Sequence, residues 1–290
     1  MAMAFLLYAT HSVKAQDTTF QVLAAEGTVQ IKKAEAWLPL EAGQSINSDD
    51  LIKLDQEAYV GMMHQSGHTL ELRKQGTYEV SQLSKEFGSS QKNITAKYGA
   101  LYASMLNGES PIQASTLERT ADQSALNVYL PNSVDVFNDE VVIRWNDKSS
   151  VNNKYEVKLK NMFNEVLEVR EVEGTRTRLN FNSQKIASER LIIVSVNNKE
   201  FKDQKSSDYG MKQLTPEEAE PIARELSELK LEINEQQSAL DRLILASFYE
   251  QNSLLADALT SYENAIDLAP ETDAFRKAYD QFIFRNGLGE

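Results

Sequence analysis

The stretch Leu245-Ala246-Ser247-Phe248-Tyr249, followed by Ala258, Tyr262, Ala265 and Pro270, sets small and aromatic residues where two helices would interlock. Ala246 and Ala258 leave room for close antiparallel approach, while Tyr249 and Tyr262 fill the space between the backbones. Pro270 cannot continue a helix and ends the second one. The spacing predicts a helix-turn-helix unit over residues 239–272. Nothing in it carries reactive chemistry, so it points to interaction rather than catalysis.

The sequence on either side predicts more helix. Thr215-Pro216-Glu217-Glu218 offers an N-cap threonine, a proline at the first helical position and a glutamate placed to close a capping box. Ala219, Ile222, Leu226, Leu229 and Ile233 then recur at three and four residues, and this helix is expected to pack on the following unit. Ala274, Phe275, Tyr279, Phe282 and Ile283 predict a closing helix that stops at Asn286-Gly287. The unit at 239–272 resembles a tetratricopeptide repeat, a module of about 34 residues that binds other proteins. The resemblance implies that the first helix lines a concave surface and presents Arg242, Glu250 and Asn252 to a peptide or protein. Tyr249 and Tyr262 are expected between the helices instead. One repeat is visible where solenoids need about three, so the flanking helices must act as caps.

Upstream, residues 20–83 read as short strands separated by turns. Val29 and Ile31 alternate with Gln30 and Lys32 after Gly27, and Trp37-Leu38-Pro39-Leu40 precedes Gly43. Tyr59-Val60-Gly61-Met62-Met63 and Thr69-Leu70-Glu71-Leu72 flank a turn at Gln65-Ser66-Gly67-His68, and Tyr78-Glu79-Val80 closes the set. This resembles the FecR domain, a small all-β module, with Gly67 keeping the late turn in the absence of the usual Asp-Gly. The resemblance implies a module outside the cytoplasmic membrane. It does not imply anti-sigma activity, because the expected membrane span and sigma-binding segment are missing from this sequence. Ile94, Tyr98, Leu101, Tyr102, Met105 and Leu106 predict a helix over 91–106 that caps the strands, making a module of residues 16–106. Residues 107–125 read as a linker.

Residues 126–214 form a second β region. Val141-Val142-Ile143-Arg144-Trp145 and Tyr155-Glu156-Val157-Lys158-Leu159 are strands with Trp145 placed for a core, and residues 166–172, 177–181 and 191–196 continue the series. The order resembles a fibronectin type III or immunoglobulin-like sandwich, on the tryptophan of the second strand and the Tyr-x-Val-x-Leu of the third. The expected fold class is thus multidomain β plus α. A FecR-like module with a helix and an immunoglobulin-like sandwich precede a repeat hairpin with flanking helices at 215–290.

The chain of 290 residues carries a net charge of −13, which argues against nucleic acid as a partner. Residues 215–290 hold 16 acidic and 6 basic groups, the preceding 214 hold 27 and 24. An acidic helical region on a near-neutral body suggests a basic partner, set against the plainer reading of a solvated charged face. Cysteine is absent, which removes disulfides, thiolate metal sites, thiol nucleophiles and a lipid-anchored N-terminus. The apolar run at residues 2–9 followed by Val13-Lys14-Ala15 predicts an export signal over 1–15, cleaved after Ala15, and a periplasmic or secreted protein. No basic residue precedes Lys14, so either the signal starts further upstream or residues 1–15 are a cytosolic leader; the apolar run favours export. No other segment has the roughly 20 apolar residues that span a bilayer.

His64 and His68, with Glu71 nearby, are weak metal candidates. They straddle a glycine turn, whereas paired histidines four apart bind well on a helix, and a turn role is the default. Asp49, Asp50 and Asp55 lack calcium-loop spacing, and no nucleophile elbow, phosphate loop or dinucleotide fingerprint occurs. No cofactor or catalytic residue is therefore expected. The expected function is a non-catalytic exported adaptor or scaffold of the bacterial cell envelope that binds protein. The alternative is an envelope sensor that takes a glycan or small ligand through a β-module. A metal hydrolase at His64 and His68 ranks last.

Overall fold

The computed structural model describes residues 18–33, 35–87, 94–107, 126–147, 154–201, 203–233 and 238–288. The expected signal segment, and all of the expected linker but Asn107 at its start, lie outside these residues. The described chain is mixed β and α, with antiparallel sheets first and most of the helix at the C-terminal end.

Eight strands come first: β1 (Thr18–Glu26), β2 (Val29–Lys33), β3 (Ala36–Pro39), β4 (Ser45–Asn47), β5 (Leu51–Leu54), β6 (Tyr59–His64), β7 (Thr69–Leu72) and β8 (Gly76–Glu79). They form two four-stranded sheets, β4-β1-β6-β7 and β3-β2-β5-β8. One core joins the sheets, with Phe20, Val22, Val60 and Met62 on one side and Val29, Ile31, Ile52 and Leu54 on the other. The turn expected at Ser66-Gly67 joins β6 to β7, and Gly67 takes a φ of 88° there. A short helical turn, α1 (Val80–Leu83), follows, and then α2 (Ile94–Leu106).

Strand β6 is buried along its whole length. Val60 and Met62 enter the core between the sheets, while Tyr59 and Met63 face a second core made by helices. That is why the sequence runs apolar without a break here: both faces of the strand are covered. A register shift between Val22 and Ala24 of β1 lets the adjacent Leu23 and Ala24 face the helices as well.

A further eight strands follow: β9 (Leu126–Val128), β10 (Ser133–Val136), β11 (Glu140–Asp147), β12 (Lys154–Lys160), β13 (Val166–Glu173), β14 (Arg176–Asn180), β15 (Leu191–Asn198) and β16 (Tyr209–Gln213). They pair as a three-stranded sheet, β14-β11-β9, and a five-stranded one, β10-β16-β15-β12-β13. Only β10 and β16 pair parallel in this set. Trp145 packs edge-on against Tyr155 at 5.3 Å between ring centroids, in the core that the two sheets share. Tyr155, Val157 and Leu159 point into that core from β12. The strand expected over 166–172 gains little burial: β13 is an edge strand, and Val166 and Val169 stay exposed.

The helices are α3 (Pro216–Glu232), α4 (Ala239–Gln251), α5 (Leu255–Leu268) and α6 (Asp273–Arg285). Thr215 closes the expected capping box with Glu218. A second box, Ser238 with Asp241, starts α4, with aspartate in the place that glutamate takes at Glu218. Asn286 and Gly287 end α6 where expected, with φ 59° at Gly287. The hairpin of α4 and α5 lies between the two sets of strands. α4 packs on α2 and β1, α5 on β10 and β11, and α6 on α5 and β1. α3, expected to pack on the following unit, has α2 as its main neighbour, and its Leu226 and Leu229 join the same buried core as α4. Glu232 at its end accepts hydrogen bonds of 2.8 Å from the Thr95 amide and hydroxyl, and Glu225 pairs with Lys97. No helix among the described residues is long and apolar enough to cross a membrane.

Gly61 is where α4 meets the first set of strands. A Cβ there would stand 2.5 Å from Leu240 Cδ2, and Leu240 is fully buried. On an ordinary strand Gly→Ala stabilises by roughly 0.5–1 kcal/mol. Here Gly61→Ala is expected to destabilise by about 1–3 kcal/mol through overpacking. Urea unfolding of the two proteins checks it, and an unchanged or raised midpoint contradicts the close approach.

Candidate interaction site

On α5, Asp257, Thr260, Glu263, Asn264 and Asp267 recur at helical spacing and make one polar stripe. The stripe faces the second set of strands. The Asp257 carboxylate accepts from the Phe137 amide at 3.0 Å, the Asn138 amide at 2.9 Å and the Asn138 side chain at 2.7 Å. The Thr260 hydroxyl accepts from the Val142 amide at 2.8 Å. That amide lies on a part of β11 that β9 does not reach, since β9 pairs only with Trp145, Asn146 and Asp147. The helix hydroxyl thus meets a ladder donor that would otherwise be orphaned. Glu263, with no exposed side-chain surface, is held by Arg144 from β11 and by Arg176 from β14 at 3.0 Å. Asp267 takes a second bond from Arg176, and Asn264 one from Arg178. The basic groups that meet much of the acidic charge of α5 therefore belong to the chain itself.

A second polar cluster closes the hairpin against α6. Glu250 is 2 % exposed. Its two carboxylate oxygens accept from Arg285 at 2.7 Å each, and Asn286 adds a third bond at 2.7 Å. Arg285 also donates to the Tyr262 hydroxyl. Glu250 was expected to face a partner and is instead turned inward, because α6 covers that face of α4. The sequence marks Asn286 only as a helix stop and does not single out Arg285, whose signal is an arginine in the last turn of an otherwise apolar helix face.

Arg242 is half-buried near the start of α4, where burial lowers its pKa below the ordinary value. Asn252, half-buried beyond the other end, donates to the Phe248 carbonyl at 2.9 Å and helps to end the helix. The structure does not bring Arg242, Glu250 and Asn252 together: about two and a half turns separate the first from the others. Tyr249 and Tyr262 are buried.

His64 and His68 meet through a serine. Ser66 Oγ lies 2.7 Å from His64 Nδ1 and 3.1 Å from His68 Nδ1, and Phe87 stacks on both rings. His64 is buried, and burial together with the neighbouring His68 lowers its pKa. Glu71 turns to Arg73. Among the described residues no three His, Cys, Asp or Glu side chains converge as metal ligands. Asp50 accepts from the Asn47 amide at 2.8 Å, a turn role.

The surface also carries exposed apolar groups. The turn between β12 and β13 exposes Met162 and Phe163, which are 64 % and 75 % accessible. Asn161 is buried beneath them, and its Oδ1 accepts from the amides of Phe163 and Glu165 at 3.0 Å each. Its Nδ2 donates to the Glu165 side chain, and Asn164 holds a φ of 66°. Two large apolar side chains are thus offered to solvent from an ordered turn, beside the open edge of β13. Comparison with protein-family models and with curated proteins returned no match.

Two outcomes follow for the polar clusters. Glu250→Ala leaves the Arg285 guanidinium, 19 % exposed, without its carboxylate and is expected to cost about 3–5 kcal/mol in urea unfolding. Asn252→Ala loses one hydrogen bond, about 1 kcal/mol; equal costs would contradict the assigned geometry. Burial pushes the Asp257 carboxyl up to about 6 from 3.8, against the hydrogen bonds it accepts. The folded state then holds this proton more tightly than the unfolded chain, so stability is lost as pH rises from about 4 to about 6. The loss is on the order of 3 kcal/mol. Subtracting the pH profile of Asp257→Asn from that of the parent protein isolates this slope, and a flat difference would refute it.

Proposed function

We propose that this chain is a non-catalytic scaffold or adaptor of the bacterial cell envelope that engages a protein partner. The strands at 18–79 are read as a FecR-like module. The order β14-β11-β9 opposite β10-β16-β15-β12-β13 supports an immunoglobulin-like or fibronectin-like sandwich for the second set. The hairpin α4–α5 is read as a tetratricopeptide-like unit whose neighbours are the strand faces rather than further repeats. The export-like N-terminus supports an envelope location.

The observation that carries the interaction reading is the turn at Met162 and Phe163. Large apolar side chains held mostly in solvent by a hydrogen-bonded turn bury little surface in this fold, and aromatic anchors of this kind dominate binding energy at interfaces. An envelope sensor for a glycan or small ligand is the second reading, favoured by a cavity beside α6.

Removing residues 215–290 is a poor test, because it would uncover Tyr59, Met63 and Val142. A photo-crosslinking residue at position 163, used in the producing cell, is the sharper one. A discrete protein adduct is expected. In a binding assay with the identified partner, Phe163→Ser is expected to weaken binding about 30-fold, the size of an interface hot spot, with unfolding unchanged. Absence of any adduct at 163, with the protein folded and abundant, would falsify this reading of the turn.

A further inference from the structure

A cavity of ≈ 240 Å³ lies between the second set of strands and α6. Tyr129, from the connection between β9 and β10, forms one wall. Tyr279, Asp280, Ile283 and Phe284 of α6 form the other, with Leu288 beyond the helix end. The rings of Tyr129 and Tyr279 meet edge to face, 6.4 Å between centroids and 65° between planes. Phe284 stands at the mouth, 81 % exposed. An aromatic ring so placed has no packing role in the fold. The Tyr279 side chain is 7 % exposed, and its hydroxyl has no hydrogen-bond partner among the described residues.

The charges around this space decide what it can hold. Arg144 lies 5.9 Å from the Tyr279 ring, but Glu263 neutralises it with a double hydrogen bond. On α6 itself, Arg276 is paired with Asp273, and Arg285 with Glu250. Lys277 lines a different cavity, beside Glu26 and Gly27 of the first set of strands. Asp280 is exposed and makes no ion pair among the described residues. Among the described residues the local charge is therefore the exposed Asp280 carboxylate, which lines the cavity together with the rings of Tyr129, Tyr279 and Phe284.

Ring faces and a carboxylate attract the same group, an organic cation. The volume is below the roughly 300–1,000 Å³ of sites for drug-sized ligands, and it suits one small headgroup or one side chain. We infer that the cavity between Tyr129 and α6 binds an alkylammonium group, free in solution or carried on a lysine side chain. A neutral group of the same shape would gain burial without the attraction of the rings and of Asp280. The net charge of −13 favours approach of such a cation. The inference goes beyond the scaffold reading and does not depend on the turn at Met162 and Phe163.

Ligand-observed NMR on the full chain tests it with four probes: tetramethylammonium, tert-butanol as a neutral counterpart, a lysine peptide and its acetyl-lysine form. Tetramethylammonium is expected to bind and tert-butanol not. Asp280→Asn and Phe284→Ala alter exposed side chains. Each is expected to weaken cation binding about three- to tenfold with the thermal transition unchanged. A lysine peptide that displaces tetramethylammonium, where the acetylated form does not, identifies the cation as a partner's side chain. Displacement by neither peptide, with tetramethylammonium still bound, identifies a free small amine. Equal binding of tert-butanol, cation binding indifferent to both substitutions, or no binding of either cation overturns the inference. None of these outcomes bears on an adduct formed at position 163.

Discussion

The carboxylate of Glu263 has no exposed surface, and a charge so placed must be answered within the protein. Arg144 and Arg176 answer it from two neighbouring strands, and this fixes α5 against the second set of strands in rotation and in height. Asp257 and Thr260, two turns and one turn back along the same stripe, bind backbone amides that no strand reaches. A hydrophobic contact would tolerate sliding. A stripe of buried polar groups does not, because each misplaced donor or acceptor carries its desolvation cost without a partner. The specificity of the hairpin's seat therefore comes from its polar residues, and the driving force from the apolar ones.

The same constraint explains how a lone helical hairpin stands without helical copies of itself. Repeat units bury their faces on adjacent copies. Here Leu240 packs against Gly61 of β6, and Val142 joins the helical core from β11. α2 and α6 cover what is left. The cost is that the surface on which a repeat array would hold a peptide is occupied. Glu250 illustrates it: its charge is spent on Arg285 and Asn286 inside the molecule. Function has to be sought where the fold leaves groups unanswered. The turn at Met162 and Phe163 and the space beside Asp280 are such places.

Much of the fold was legible along the chain. The capping box at Thr215, the stop at Asn286-Gly287, the glycine turn at Ser66-Gly67 and the alternation of Tyr155, Val157 and Leu159 are local signals, and each is found where it was expected. The site was far less legible. Arg242, Glu250 and Asn252 were chosen by position on one helix, and their surroundings come from residues far away in sequence. Arg285 lies 35 residues beyond Glu250, and Asp257 binds amides 119 and 120 residues before it. Asn161, which shapes the exposed turn, reads in sequence as one more polar residue between strands.

Elements, caps, turns and the apolar faces belong to the sequence, because they rest on contacts within a few residues and on the periods of helix and strand. The tertiary structure alone decided that the helices lie between the strand sets, that the acids of α5 find their bases within the chain, and which apolar side chains are left outside. Those outcomes depend on which charged and apolar faces can be satisfied together in one packed interior. No local pattern encodes such a long-range pairing.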